Sequence, residues 1–80
     1  MSKKDKEIKK LLQQKTLISK EAVRLLELDG WVIDKKHSGT SHTQFEHPIK
    51  KGKVTVPLNK NPLKEKTLKT ILKQAGLTRG

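Results

Sequence analysis

Cysteine and tyrosine are absent from the 80 residues, and the only aromatic side chains are Trp31 and Phe45. Without cysteine, neither disulfides nor thiolate metal sites can supplement a core, a usage that fits a reducing compartment. Both aromatics fall where a core needs them, which argues against an aromatic platform for stacking single-stranded bases. No apolar run approaches the roughly 18 residues that span a bilayer, and the lysine-rich start is not followed by the apolar stretch of a signal peptide. A soluble, cytoplasmic protein with no membrane contact is therefore expected. Acidic residues are scarce as well: eight Asp and Glu stand against 19 Lys and Arg, for a formal charge of +11. Such a field attracts polyanions, which leaves lysine-directed recognition of a phosphate backbone or of an acidic partner.

A chain of this length makes one domain and hides only about 60 % of the surface its unfolded form exposes, so its stability is modest. It has no room for a deep cofactor cavity, and no cofactor is expected. The glycines do not form a phosphate-binding loop: Gly39 and Gly52 fall in hairpin turns, and Gly30 and Gly76 follow helices. No internal repeat is visible.

Residues 1–18 are dense in lysine, with Ile8, Leu11 and Leu12 spaced as one helical stripe; this is a basic arm, either solvated or folded into a short amphipathic helix. From Ser19, a candidate N-cap, the positions Ala22, Val23, Leu25 and Leu26 predict a helix over about Lys20 to Asp29, stopped by Gly30. Trp31-Val32-Ile33 opens a first strand. Across Ser41 to His47, alternation puts Thr43, Phe45 and His47 on one face and His42, Gln44 and Glu46 on the other. Lys53 to Pro57 is a third strand with Val54 and Val56 inward. Leu68, Ile71, Leu72 and Ala75 then mark a last helix that Gly76 stops. Helix, three strands, helix is an α+β plan: a three-stranded antiparallel sheet with two helices on one face and the other face open.

His42 is the first candidate for chemistry, since the alternation turns it outward onto that open face, near Lys35, Lys36 and Lys53. RNA hydrolysis without a metal needs a base for the 2′-hydroxyl, an acid for the leaving oxygen and cationic support for the phosphate. From pattern alone, the plainer reading of a lone outward imidazole is a solvated polar residue, with catalysis the second. His47 precedes Pro48 and shares the Phe45 face, which fits a half-buried structural role; His37 falls in a turn and is expected to face solvent. His37, His42, His47 and Glu46 are close in sequence, but His42 and His47 point to opposite faces and no Cys or HExxH pattern completes a zinc set, so no metal site is expected. Ser38 and Ser41 lack a GxSxG elbow or an orienting acid. Lys60, Lys64, Lys66, Lys69 and Lys73 line the last helix and its approach, where they are either an ordinary solvated face or a track for phosphates.

Four blocks in order, Leu-Asp-Gly-Trp-Val-Ile (28–33), Gly-Thr-Ser-His-Thr-Gln-Phe-Glu-His-Pro (39–48), Val-Thr-Val-Pro (54–57) and Thr-Leu-Lys-Thr-Ile-Leu-Lys-Gln-Ala-Gly-Leu (67–77), together resemble the HicA family over about Ser19 to Thr78. The resemblance implies a double-stranded-RNA-binding-like α-β-β-β-α fold over residues 19–80. It further implies the toxin of a type II toxin-antitoxin pair: an mRNA interferase that cleaves RNA without metal and is held by a HicB-type antitoxin. The alternative is a non-catalytic basic RNA-binding module. The family's catalytic His follows a Gly-Ser or Thr-Ser pair, which maps onto His42 after Thr40 and Ser41. RNA contacts are expected from Lys35, Lys36, Ser41, Lys53, Lys60 and Lys64. The chain departs from the family where members often have a second His directly after the catalytic one; here that residue is Thr43. The arm before Ser19 is also longer than usual.

Overall fold

A computed structural model describes residues 3–39, 41–58 and 62–77. Its elements are α1 (Lys3–Gln13), α2 (Ser19–Leu28), β1 (Val32–Ile33), β2 (His42–Glu46), β3 (Lys53–Pro57) and α3 (Glu65–Ala75). The strands form one antiparallel sheet in the order β1-β2-β3. Strand alternation decides its two faces: Thr43, Phe45, Val54 and Val56 are buried against α2 and α3, while Gln44, Glu46, Lys53 and Thr55 look the other way. Phe45, Val54, Val56, Leu25, Leu26 and Leu68 are essentially inaccessible to solvent. Burial of each such side chain contributes about 1.5–3 kcal/mol, and this is the main force closing the two layers.

Helix α2 starts one residue before the expected position, and Ser19 is not its cap. Ile18 holds the extended N-cap conformation, and the Glu21 carboxylate accepts its backbone N–H at 3.0 Å. Ser19 instead donates its hydroxyl to the Pro57 carbonyl at 2.7 Å, tying the start of α2 to the end of β3. A serine with a backbone acceptor within reach across the fold satisfies its hydroxyl there, leaving the cap to the reciprocal glutamate.

Gly30, at φ +98°, closes α2, and the Trp31 N–H reaches back to the Leu26 carbonyl at 2.9 Å. That amide is therefore committed to the helix end, which is why β1 is only Val32–Ile33 and not the three residues expected. The Trp31 ring is buried, with its indole N–H donating to Asp29 at 3.1 Å. Beyond β2, His47 stands edge-on to Trp31, with ring centres 5.1 Å apart. Its Nε2 lies 2.9 Å from the Asp29 carbonyl, and its Nδ1 accepts the N–H groups of Ile49 and Lys50 at 3.0 Å each. Two backbone donors at Nδ1 and a carbonyl at Nε2 fix the neutral ring with its proton on Nε2. One imidazole thus joins the end of α2 to the β2–β3 turn.

Helix α3 ends at Gly76, which adopts the left-handed conformation, with Leu77 N–H bonded to the Leu72 carbonyl at 2.8 Å. Lys50 bridges the two helix ends. Its ammonium donates to the Asp29 carboxylate at 2.6 Å and to the Ala75 carbonyl at 2.9 Å, a cation placed where both helix dipoles are negative.

Of the two states open to the first residues, the structure shows the helix. Leu11 joins the core, Ile8 and Leu12 pack half-buried against it, and Arg24 of α2 grips Glu7 through two nitrogens at 3.0 and 3.3 Å. Lys3, Lys4, Lys6, Lys9 and Lys10 remain exposed.

Candidate active site on the open sheet face

The sheet face opposite α2 and α3 carries the predicted site. His42, the first residue of β2, is half-buried there, and its ring lies against Gly39. The Gly39 N–H donates to the His42 carbonyl at 2.9 Å, and a Cβ on residue 39 would stand 3.1 Å from the imidazole Cε1. Glycine at 39 is therefore a matter of close approach: a Cβ there would make the ring give by a few tenths of an ångström. Ser41, just before it, is exposed, and its carbonyl accepts the Leu58 N–H at 2.9 Å.

The predicted lysines do not all gather round His42. The β2–β3 register pairs His42 with Pro57 and Glu46 with Lys53, so Lys53 lies at the opposite end of the strand, about 13 Å along it. The expectation of Lys53 close to the imidazole is corrected by the hairpin, which sets the beginning of β3 beside the end of β2. Lys35 and Lys36 are exposed in the turn after β1, on the Lys53 side of the face. Lys64 is exposed at the start of α3, in the helical layer. Lys60 and Thr40 lie outside the described residues.

A polar cluster that pattern reading missed lies where Lys53 ends up. Asp34 is almost buried, and its Oδ2 accepts from the Lys53 ammonium at 2.8 Å and from His37 Nδ1 at 2.7 Å. Its Oδ1 accepts the Lys36 N–H at 3.2 Å. The Lys53 hydrogen bond first, and that of His37 next, hold the Asp34 carboxyl far below the usual carboxylate range. Ser38 completes the turn, donating its hydroxyl to the Asp34 carbonyl at 2.7 Å and accepting the Gln44 N–H at 3.0 Å. The Asp-Lys-Lys spacing carries the signal of an Asx turn, which marks Asp34 as a structural acceptor; Lys53, 19 residues on, is beyond any local pattern. With Ile33, Glu46 and the neighbouring lysines, these side chains line an open groove of about 490 Å³. Among the described residues, no three His, Asp or Glu side chains converge as metal ligands.

Fold and surface together define a small basic α+β domain of the double-stranded-RNA-binding-like kind, with its sheet open and a histidine at the mouth of the central strand. A sequence model described as the HicA toxin of bacterial toxin-antitoxin matches residues 19–77, and the chain belongs to that family. A search among curated proteins found no match. Membership makes the chain the toxin side of a toxin-antitoxin pair and implies an antitoxin partner. Helix α1 precedes the matched span. No helix among the described residues is long and apolar enough to cross a membrane.

Proposed function

We propose that this toxin is a metal-independent endoribonuclease that cleaves mRNA in the cytoplasm, with His42 as the catalytic residue. The observation that carries the reading is an imidazole on a sheet face left open by the helices, seated against a glycine that leaves it room. A ribonucleotide laid on that face presents its 2′-hydroxyl to the ring. The imidazole takes the hydroxyl proton as the 2′-oxygen bonds to phosphorus, and the bond from phosphorus to the 5′-oxygen breaks. The departing 5′-oxygen takes a proton from solvent water and the imidazolium returns its own to solvent, leaving a 2′,3′-cyclic phosphate and a 5′-hydroxyl. Lysines supply the positive field that holds the polyanion and favours the charge on the phosphorane. Ser41, Lys35, Lys36, Lys53, Lys60 and Lys64 are the proposed RNA contacts, Lys53 while paired to Asp34.

The antitoxin partner, of the HicB type, is proposed to cover the same open face, where an acidic surface complements the net charge and excludes RNA. The chemistry is tested by digesting an oligoribonucleotide in chelator and identifying the product ends. The reading predicts 2′,3′-cyclic phosphate ends and full resistance of a 2′-deoxy analogue. Cleavage that needs an added metal ion, or that proceeds on the deoxy analogue, contradicts it, and binding without cleavage leaves the RNA-binding module.

A further inference from the structure

Asp34, His37 and Lys53 form a built arrangement that the cleavage step does not use. Asp34 is an ionised acceptor fixed by three donors, so the His37 nitrogen 2.7 Å from it carries the proton. That leaves Nε2 as the free end of a ring that is 59 % exposed. An aspartate that orients an imidazole through Nδ1 and leaves Nε2 outward aims that nitrogen at a ligand. Lys35, Lys36 and Glu46 also line the groove, and Glu46 is the cross-strand neighbour of Lys53.

We propose that this groove is a phosphate subsite for the RNA strand, in which the imidazolium form of His37, donating Nδ1–H to Asp34 and Nε2–H to a phosphodiester oxygen, and the Lys36 ammonium hold the phosphodiester next to the one being cut, with Asp34 as the positioning residue. The inference rests on the RNA-cleaving reading above. The Asp34 N–H bonds to the Gln44 carbonyl, two residues and about 7 Å along the strand from His42, and Gly39, two residues after His37, packs against the His42 ring. A short stretch of ribonucleotide backbone spans that distance, so one strand engages both. Lys53 meets the strand while its ammonium stays on Asp34, 3.3 Å from His37 Nδ1, neutralising the carboxylate so that the groove is not repulsive to an anion. The charged groups around the His37 ring are Asp34 and Lys53, within 2.7 and 3.3 Å of its Nδ1, and Lys35, Lys36 and Glu46, which line the same groove.

The test is the affinity of a short labelled oligoribonucleotide for the full chain carrying His42→Ala, in which cutting does not consume the probe. In that background His37→Ala weakens binding about tenfold, the loss of one hydrogen bond to a charged group. Lys36→Ala lowers the slope of log affinity on log salt by about one. Glu46→Gln strengthens binding. Lys69→Ala, on α3 in the helical layer, changes affinity less than twofold, within the usual range of a surface change. With Asp34→Asn, the ring loses the carboxylate that orients it, and the further cost of His37→Ala falls to near zero, as coupled residues require. His37 is exposed, so its removal leaves the fold intact by circular dichroism. Equal affinity of the His37→Ala and His37 proteins, or weaker binding by Glu46→Gln, overturns the subsite. If the parent chain fails to cut RNA while His37→Ala still weakens binding, the nuclease reading fails and the subsite stands as an RNA-binding site.

Discussion

At the scale of single residues, the histidines divide by what holds each ring. His47 is tied at both nitrogens, His37 at one, and the His42 ring is packed against Gly39 with no hydrogen bond to it from the described residues. A reacting group must be free to exchange its proton, and among the described residues none hydrogen-bonds either nitrogen of His42. His47→Ala removes a donor to Asp29 and an acceptor for two amides, and the expected cost is about 2 kcal/mol by urea denaturation. Asp34 gives a pH signature. Its folded carboxyl titrates below the unfolded one, so its contribution to stability is complete above the ordinary carboxylate range and is lost as pH falls through the folded value. Asp34→Asn is therefore less stable than the parent at neutral pH, and the gap closes in strong acid; a gap that persists in acid contradicts the assigned pairing. The outward turn of His42 was legible from its alternation with buried Phe45. The distance from Lys53 was not, because only the hairpin register shows which strand end each lysine reaches.

At the scale of elements, glycine stops and apolar spacing carried α2, β2, β3 and α3 nearly residue for residue. Where the reading slipped, a tertiary partner took over a local role: the Pro57 carbonyl drew Ser19 away from the cap, and the Leu26 carbonyl drew the Trp31 amide from the strand. Helix α1 was open in the sequence because a short lysine-rich helix is marginal alone, and Leu11 and the grip of Arg24 on Glu7 come only with α2. Its exposed ion pair adds little. Leu11→Ala is expected to cost about 2 kcal/mol and to loosen α1 while RNA cleavage continues, read by circular dichroism and digestion on the same sample. Gly30→Ala places a Cβ 3.0 Å from His47 Nε2 and forces a left-handed conformation on alanine. The expected cost is about 2 kcal/mol, or a Tm fall of roughly 10 °C by scanning calorimetry.

At the scale of the whole molecule, a charge of +11 on 80 residues sets how RNA and antitoxin arrive. Affinity for RNA should fall steeply and linearly on a log-log plot as salt rises, since each neutralised phosphate releases counterions. One sheet face closes against α2 and α3 through the buried core, and the other is left free of both helices. Function then depends on what that face presents, and the account reduces to one imidazole. The direct test is the cleavage rate of a single RNA by the parent and His42→Ala proteins, side by side in EDTA at equal folded concentration. The account predicts rapid cutting by the parent and a loss of at least about 100-fold in the variant. Equal rates in the two proteins would contradict it.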